Sequence, residues 1–136
     1  EKSSLRSSRA VLNFGHTIGH AIENSNAYNS SIKHGEAIAI GIIIELKVSQ
    51  HLGYYKKSLD PLIEIIRNFG LPTNYSKYIS KNNIKELINK MKFDKKANDE
   101  NVSFILPILL TFLNSFSTKY SLFVKYCNWY KGTLNL

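Results

Sequence analysis

Arg9, Asn13, His16 and His20 follow one another at intervals of 4, 3 and 4 residues, which on a helix of 3.6 residues per turn sets all four side chains along one face. The residue types are not those of an ordinary solvated face, where lysine and glutamate are the common choice. A guanidinium grips anions, an amide both donates and accepts, and two imidazoles four residues apart can reach a single ligand. Gly15 and Gly19 interrupt the same stretch. Each glycine costs a helix interior about 1 kcal/mol relative to alanine, so the pair predicts that a ligand or another backbone comes close. Downstream, His34 stands at the start of the next predicted helix, followed by Gly35 and Glu36. Three imidazoles, or two with a carboxylate from elsewhere, satisfy a zinc ion and leave one position open for a substrate oxygen. The plainer reading makes His16 and His20 hydrogen-bonded core or surface residues. His51, beside Gly53 at a helix end, reads as a C-terminal cation.

The elements that must position these groups are predominantly helical. Residues 8–24 are predicted to form a helix, with Val11, Leu12, Phe14, Ile18, Ala21 and Ile22 as apolar positions and upstream serines as caps. Turn formers dominate 24–33, which predicts a loop. From Gly35 to about Leu52 the chain is apolar nearly all round, the pattern of a helix buried on most faces, with Gly53 as its stop. Asp60 as N-cap and Pro61 at the first helical position open a short amphipathic helix that Gly70-Leu71-Pro72 closes. Ser80 is placed to cap a further helix running to about Lys92, with Ile84, Leu87, Ile88 and Met91 on its apolar side. A charged loop, 94–101, follows. Val102 to Leu106 suits a strand or a buried helical turn, and so short a run does not distinguish them. From Leu109 onward the aromatic residues, Phe112, Phe116, Tyr120 and Phe123 among them, suggest helical spacing. The expected fold class is mainly α, without internal repeats.

Composition sets the outer bounds. With 136 residues, 43% of them apolar, the chain is one domain able to bury a core without covalent staples. The formal charge of +8 suits phosphate or carboxylate partners, although the richness in lysine, asparagine and isoleucine also reflects general composition. A single cysteine, Cys127, excludes an internal disulfide and a cysteine-cage metal site, and fits a reducing, cytoplasmic setting. The apolar run 102–113 contains Pro107 and falls short of the roughly 20 residues of a spanning helix, so no membrane role is expected. The sequence opens at Glu1, its one methionine is Met91, and no secretory pattern precedes the first helix; a piece of a longer protein is expected. A rival reading takes Lys77, Lys81, Lys85, Lys90, Lys92, Lys95 and Lys96 with Tyr75 and Tyr78 as a basic helical surface for nucleic acid. That reading is compositional, whereas the histidines demand particular positions, so no nucleic-acid partner is expected.

The stretch Leu12-Asn13-Phe14-Gly15-His16-Thr17-Ile18-Gly19-His20-Ala21-Ile22-Glu23, then His34-Gly35-Glu36-Ala37-Ile38-Ala39-Ile40-Gly41, closely resembles the signature of the 3-dehydroquinate synthases. Asp94-Lys95-Lys96 and Phe104-Ile105-Leu106-Pro107 also look like that family. The resemblance spans residues 1–107 and implies the helical metal and substrate domain of a two-domain enzyme, the N-terminal α/β NAD-binding domain lying upstream; 108–136 is left as a divergent aromatic tail without a functional account. It implies that His16 and His34 are two ligands of a catalytic zinc, or of another divalent cation such as cobalt, the third being an upstream glutamate. It implies that His20 is the catalytic histidine near the substrate phosphate, that Arg9 and Asn13 bind substrate, and that one of Lys95 and Lys96 meets the anionic substrate.

In that family, bound NAD transiently oxidises a ring alcohol of a heptulosonate phosphate, phosphate leaves by β-elimination, and ring opening with aldol closure gives 3-dehydroquinate. The implied partners are a small sugar phosphate and, in the full-length enzyme, a second copy in a homodimer. Cyclases that make deoxy-inosose or valiolone share the metal signature and are the rival within the class. The chain departs from the family pattern at Leu5, where a glutamate usually stands four residues before the substrate arginine; the serine-rich stretch leaves an alternative register open, in which Glu1 with Leu5-Arg6 is that motif displaced by an insertion and Glu1 is a candidate general base.

Overall fold

The computed structural model describes residues 12–25, 32–79, 83–94, 101–109 and 112–119. Four α-helices run in order, α1 (His16–Glu23), α2 (His34–His51), α3 (Asp60–Asn68) and α4 (Ile84–Asp94), with a 3-10 turn at Tyr75–Lys77 and an antiparallel hairpin of β1 (Asn101–Leu109) and β2 (Phe112–Lys119). The domain is mainly helical, as the patterning predicts.

Helix α2 is the central post. Ala37, Ile40, Ile44 and Val48 pack with Ile18, Ala21 and Ile22 of α1, with Ile84, Leu87, Ile88 and Met91 of α4, and with Leu106 of β1. Ala39 and Ile43 meet Ile66 of α3, while Leu46 packs on Tyr55 and Leu59. An apolar residue on nearly every face therefore has a partner, which is why the run shows no single polar stripe. Each fully buried isoleucine or leucine contributes roughly 1.5–3 kcal/mol relative to an exposed one, and among the described residues this helix supplies more buried apolar side chains than any other element. Its N-terminus is closed by Glu36, whose Oε2 accepts the Lys33 N–H at 2.9 Å. Its C-terminus runs into Gly53 at φ +78°, a left-handed stop that only glycine adopts without strain. Gly70, at φ +73°, ends α3 in the same way.

Several boundaries differ from the sequence reading. The helix predicted over 8–24 begins, within the described residues, at His16, because Gly15 is left-handed at φ +79°. Asn13 therefore lies in a turn before α1, its carbonyl accepting the His16 N–H at 3.0 Å, and not on one continuous helical face with His16 and His20. Leu59, one residue earlier than Asp60, is the N-cap of α3, and Pro61 is the second helical residue. Helix α4 starts at Ile84 and runs to Asp94; Ser80 lies outside the described residues. Asn83, just before it, donates from Nδ2 to the Tyr78 carbonyl at 2.9 Å. Val102–Leu106 lies within β1, and over Phe112–Lys119 the helical spacing expected beyond Leu109 gives way to β2, paired from Asn101↔Lys119 to Leu109↔Phe112; the rest of that stretch, 120–136, lies outside the described residues. No helix among the described residues is long and apolar enough to cross a membrane.

Candidate metal centre

The glycines of α1 explain how the site is assembled. A methyl group at Gly41 would overlap the Gly15 carbonyl and stand 3.0 Å from the Gly19 nitrogen. One at Gly15 would stand 2.8 Å from the Ile38 carbonyl oxygen and 2.9 Å from the Ile42 nitrogen, and one at Gly19 3.2 Å from the Ala37 carbonyl oxygen. The close partner predicted from the paired glycines is thus another backbone, that of α2. The two helices meet main chain against main chain, and this brings the first residue of α2, His34, beside the exposed side of α1.

Three imidazoles converge there. The ring centroids of His16 and His20 are 5.4 Å apart, those of His16 and His34 5.7 Å, and those of His20 and His34 5.8 Å. One nitrogen from each lies within 4.8 Å of the others. His16 and His20 are half-buried and His34 is exposed, so the cluster opens to solvent on the α2 side. A tetrahedral zinc with bonds of 2.0–2.1 Å separates its ligand nitrogens by about 3.4 Å. Small side-chain rotations close that gap, and imidazole suits zinc and cobalt alike, so the donor set fits a divalent cation.

The hydrogen bonds fix which nitrogens are available. His16 Nδ1 lies 3.2 Å from the Phe14 carbonyl oxygen, and a carbonyl only accepts, so Nδ1 carries the proton. His34 Nδ1 lies 3.0 Å from both Glu23 oxygens, where it donates to a carboxylate. With Nδ1 engaged as donor, the neutral form of each ring presents the lone pair of Nε2 to a cation.

Behind the site lies a residue the sequence reading missed. Glu45 is fully buried in the middle of α2, and its Oε2 accepts the Gly15 N–H at 3.0 Å. Gly15 immediately precedes His16, so this carboxylate ties the turn that starts α1 to the central helix. A charged residue in an otherwise apolar run is the signal that would have found it, because a buried charge requires a partner.

Of the other sequence candidates, Asn13 is exposed, three residues before His16 in the turn that leads into α1. Arg9, Lys95 and Lys96 lie outside the described residues, as do Glu1 and Leu5. The basic-surface reading loses its aromatic component: Tyr75 and Tyr78 pack on the main core, with Lys47 Nζ 5.3 Å from the Tyr75 ring centroid.

The profile of the family described as "3-dehydroquinate synthase C-terminal" matches residues 3–97. The 3-dehydroquinate synthase of Caldanaerobacter subterraneus subsp. tengcongensis is 41% identical over 112 residues, covering 82% of this chain and 30% of the relative. That of Thermoanaerobacter sp. (strain X514) is 41% identical over 100 residues, covering 73% and 27%. That of Sulfolobus acidocaldarius is 38% identical over 92 residues, covering 67% and 26%. The chain thus spans about 30% of the length of these relatives. In structure it resembles 2-deoxy-scyllo-inosose synthase complexed with carbaglucose-6-phosphate, NAD+ and Co2+, with a TM-score of 0.68 at 22% identity over 86% of this chain and 34% of that one. A second structure of 2-deoxy-scyllo-inosose synthase gives 0.66 at 20% identity, covering 85% and 32%. At those identities the likeness speaks for the fold. The glycine-tight helix pair, the histidine-bearing motifs it juxtaposes and a profile match over most of the residues lead to one conclusion: the chain belongs to the 3-dehydroquinate synthase family, through its C-terminal domain.

Proposed function

We propose that residues 1–107 form the metal- and substrate-holding half of a 3-dehydroquinate synthase, which converts 3-deoxy-D-arabino-heptulosonate 7-phosphate to 3-dehydroquinate with loss of phosphate. The observation that carries this reading is the convergence of His16, His20 and His34 beside the α1–α2 contact. Identity of 41% to named 3-dehydroquinate synthases, against 22% to the 2-deoxy-scyllo-inosose synthase neighbour, favours this reaction over that of the other sugar phosphate cyclases.

His16 and His34 hold the divalent cation through Nε2, with a third ligand supplied by the N-terminal half that this chain does not include. When bound, the cation supplies Lewis acidity at a ring oxygen and NAD, held mostly by that other half, supplies a hydride acceptor. His20, one turn along α1 from His16, accepts or returns a proton beside the departing phosphate. Arg9, Asn13 and one of Lys95 and Lys96 hold the anionic groups by charge-assisted and neutral hydrogen bonds. The basic balance of the chain favours such a substrate, and this half is inactive alone because the nucleotide pocket lies elsewhere. The complete protein is a cytoplasmic lyase, acting as a homodimer.

The test is substrate discrimination by the full-length protein with NAD and zinc or cobalt. Phosphate release and 3-dehydroquinate formation from the heptulosonate phosphate, with none from glucose 6-phosphate, are expected. Turnover of glucose 6-phosphate alone would move the assignment to the inosose-forming branch.

A further inference from the structure

We infer that Glu23 is a positioning residue of the metal centre: its carboxylate fixes the tautomer and ring orientation of His34 and strengthens His34 Nε2 as a ligand. The inference rests on the reading of His34 as a metal ligand and adds a residue that the reading does not contain. Glu23 ends α1 and His34 begins α2, eleven positions apart in sequence. The glycine-tight packing of the two helices puts both carboxylate oxygens 3.0 Å from Nδ1.

An exposed ion pair alone contributes little, and with the His34 side chain 59% exposed and that of Glu23 26% exposed, stability is not what this pair provides. Its geometry serves another purpose. A carboxylate facing Nδ1 keeps the proton there, leaves the lone pair on Nε2, and stops the ring from turning over. A negative charge behind an imidazole also makes the opposite nitrogen a better donor to a cation, and loss of such a partner typically weakens metal binding about 10–100-fold. His16 obtains the same tautomer from the Phe14 carbonyl, a backbone group without net charge. Glu23 is therefore the side chain through which the strength of this ligand pair is set.

The experiment measures cobalt and zinc dissociation constants by chelator competition in the full-length protein and its Glu23→Ala, Glu23→Gln and His34→Ala variants, with the visible spectrum of the cobalt form and the melting temperature of the metal-free form. Glu23→Ala is expected to weaken metal binding about 10–100-fold and shift the cobalt spectrum. Glu23→Gln, which retains an acceptor oxygen without the charge, should lie between it and the parent, and the metal-free melting temperatures should agree within a few degrees. Metal binding in both Glu23 variants within twofold of the parent, while His34→Ala loses it, would overturn the inference and leave the ligand reading standing. Parent-like binding in His34→Ala would overturn the ligand reading itself. If Glu23→Ala does not fold, the Glu23→Gln affinity and spectrum decide alone.

Discussion

The two sides of helix α2 are built on opposite principles. Toward α1, Gly15, Gly19 and Gly41 let the main chains approach so closely that an added methyl group would meet backbone of the other helix, with the Ile38 and Ile42 side chains lying over Gly19 and Gly15. Elsewhere on the helix, Ile44 and Val48 belong to one core of bulky side chains with Leu87, Ile88 and Met91 of α4 and Leu106 of β1. The bulky side stabilises the domain and tolerates small shifts by changing rotamers. The glycine side sets the relative position of His16, His20 and His34, since two backbones this close leave no room for an added methyl group. Stability and site geometry are thus assigned to different faces of one helix, and substitutions should separate them.

The largest loss of stability is expected on the bulky side. Leu87→Ala should cost about 2–5 kcal/mol in denaturant unfolding, with the metal affinity of the remaining folded protein unchanged. Gly41→Ala should cost less in stability, about 1–3 kcal/mol as for other overpacked sites, yet weaken metal binding as well, because relieving the overlap moves Gly15 and with it His16. Should Gly41→Ala unfold the protein partly but keep parent affinity for cobalt, the division between the faces is wrong. Glu45→Ala removes the acceptor of the buried Gly15 N–H and should cost about 1–3 kcal/mol, Glu45→Gln less because it retains an acceptor oxygen; thermal unfolding of the pair distinguishes a hydrogen bond from simple packing. Smallest is Phe69→Ser just beyond α3, where a side chain 79% exposed should change stability by no more than about 0.5 kcal/mol and leave the metal untouched.

How far the sequence disclosed this follows from the range of each interaction. Helix α2 was legible because its apolar run needs no knowledge of partners, and the stops at Gly53 and Gly70 because a left-handed cap is a local choice. The break at Gly15 was not: its left-handed turn depends on the proximity of α2, so the local pattern ran a helix through it and set Asn13 on the wrong face. The hairpin was equally obscure, since Asn101 and Lys119 are far apart in sequence and a short apolar run carries no sign of its pairing. His16 and His20 announced themselves by spacing. His34, at the start of the next predicted helix, was a candidate third imidazole from its residue type and place, but only packing brings it beside the other two. Glu23, which holds His34, looks from spacing alone like an ordinary helix carboxylate, whereas Glu45 stands out as a charge within an apolar run although its partner, the turn before His16, does not.

The most direct measurement is the divalent metal content of the full-length protein after purification and dialysis, for the parent and for His16→Ala, His34→Ala, the double variant and His20→Ala. His16→Ala and His34→Ala should each lose metal and turnover together, whereas His20→Ala should retain the ion and lose rate. A full complement of metal in the double variant would contradict the account.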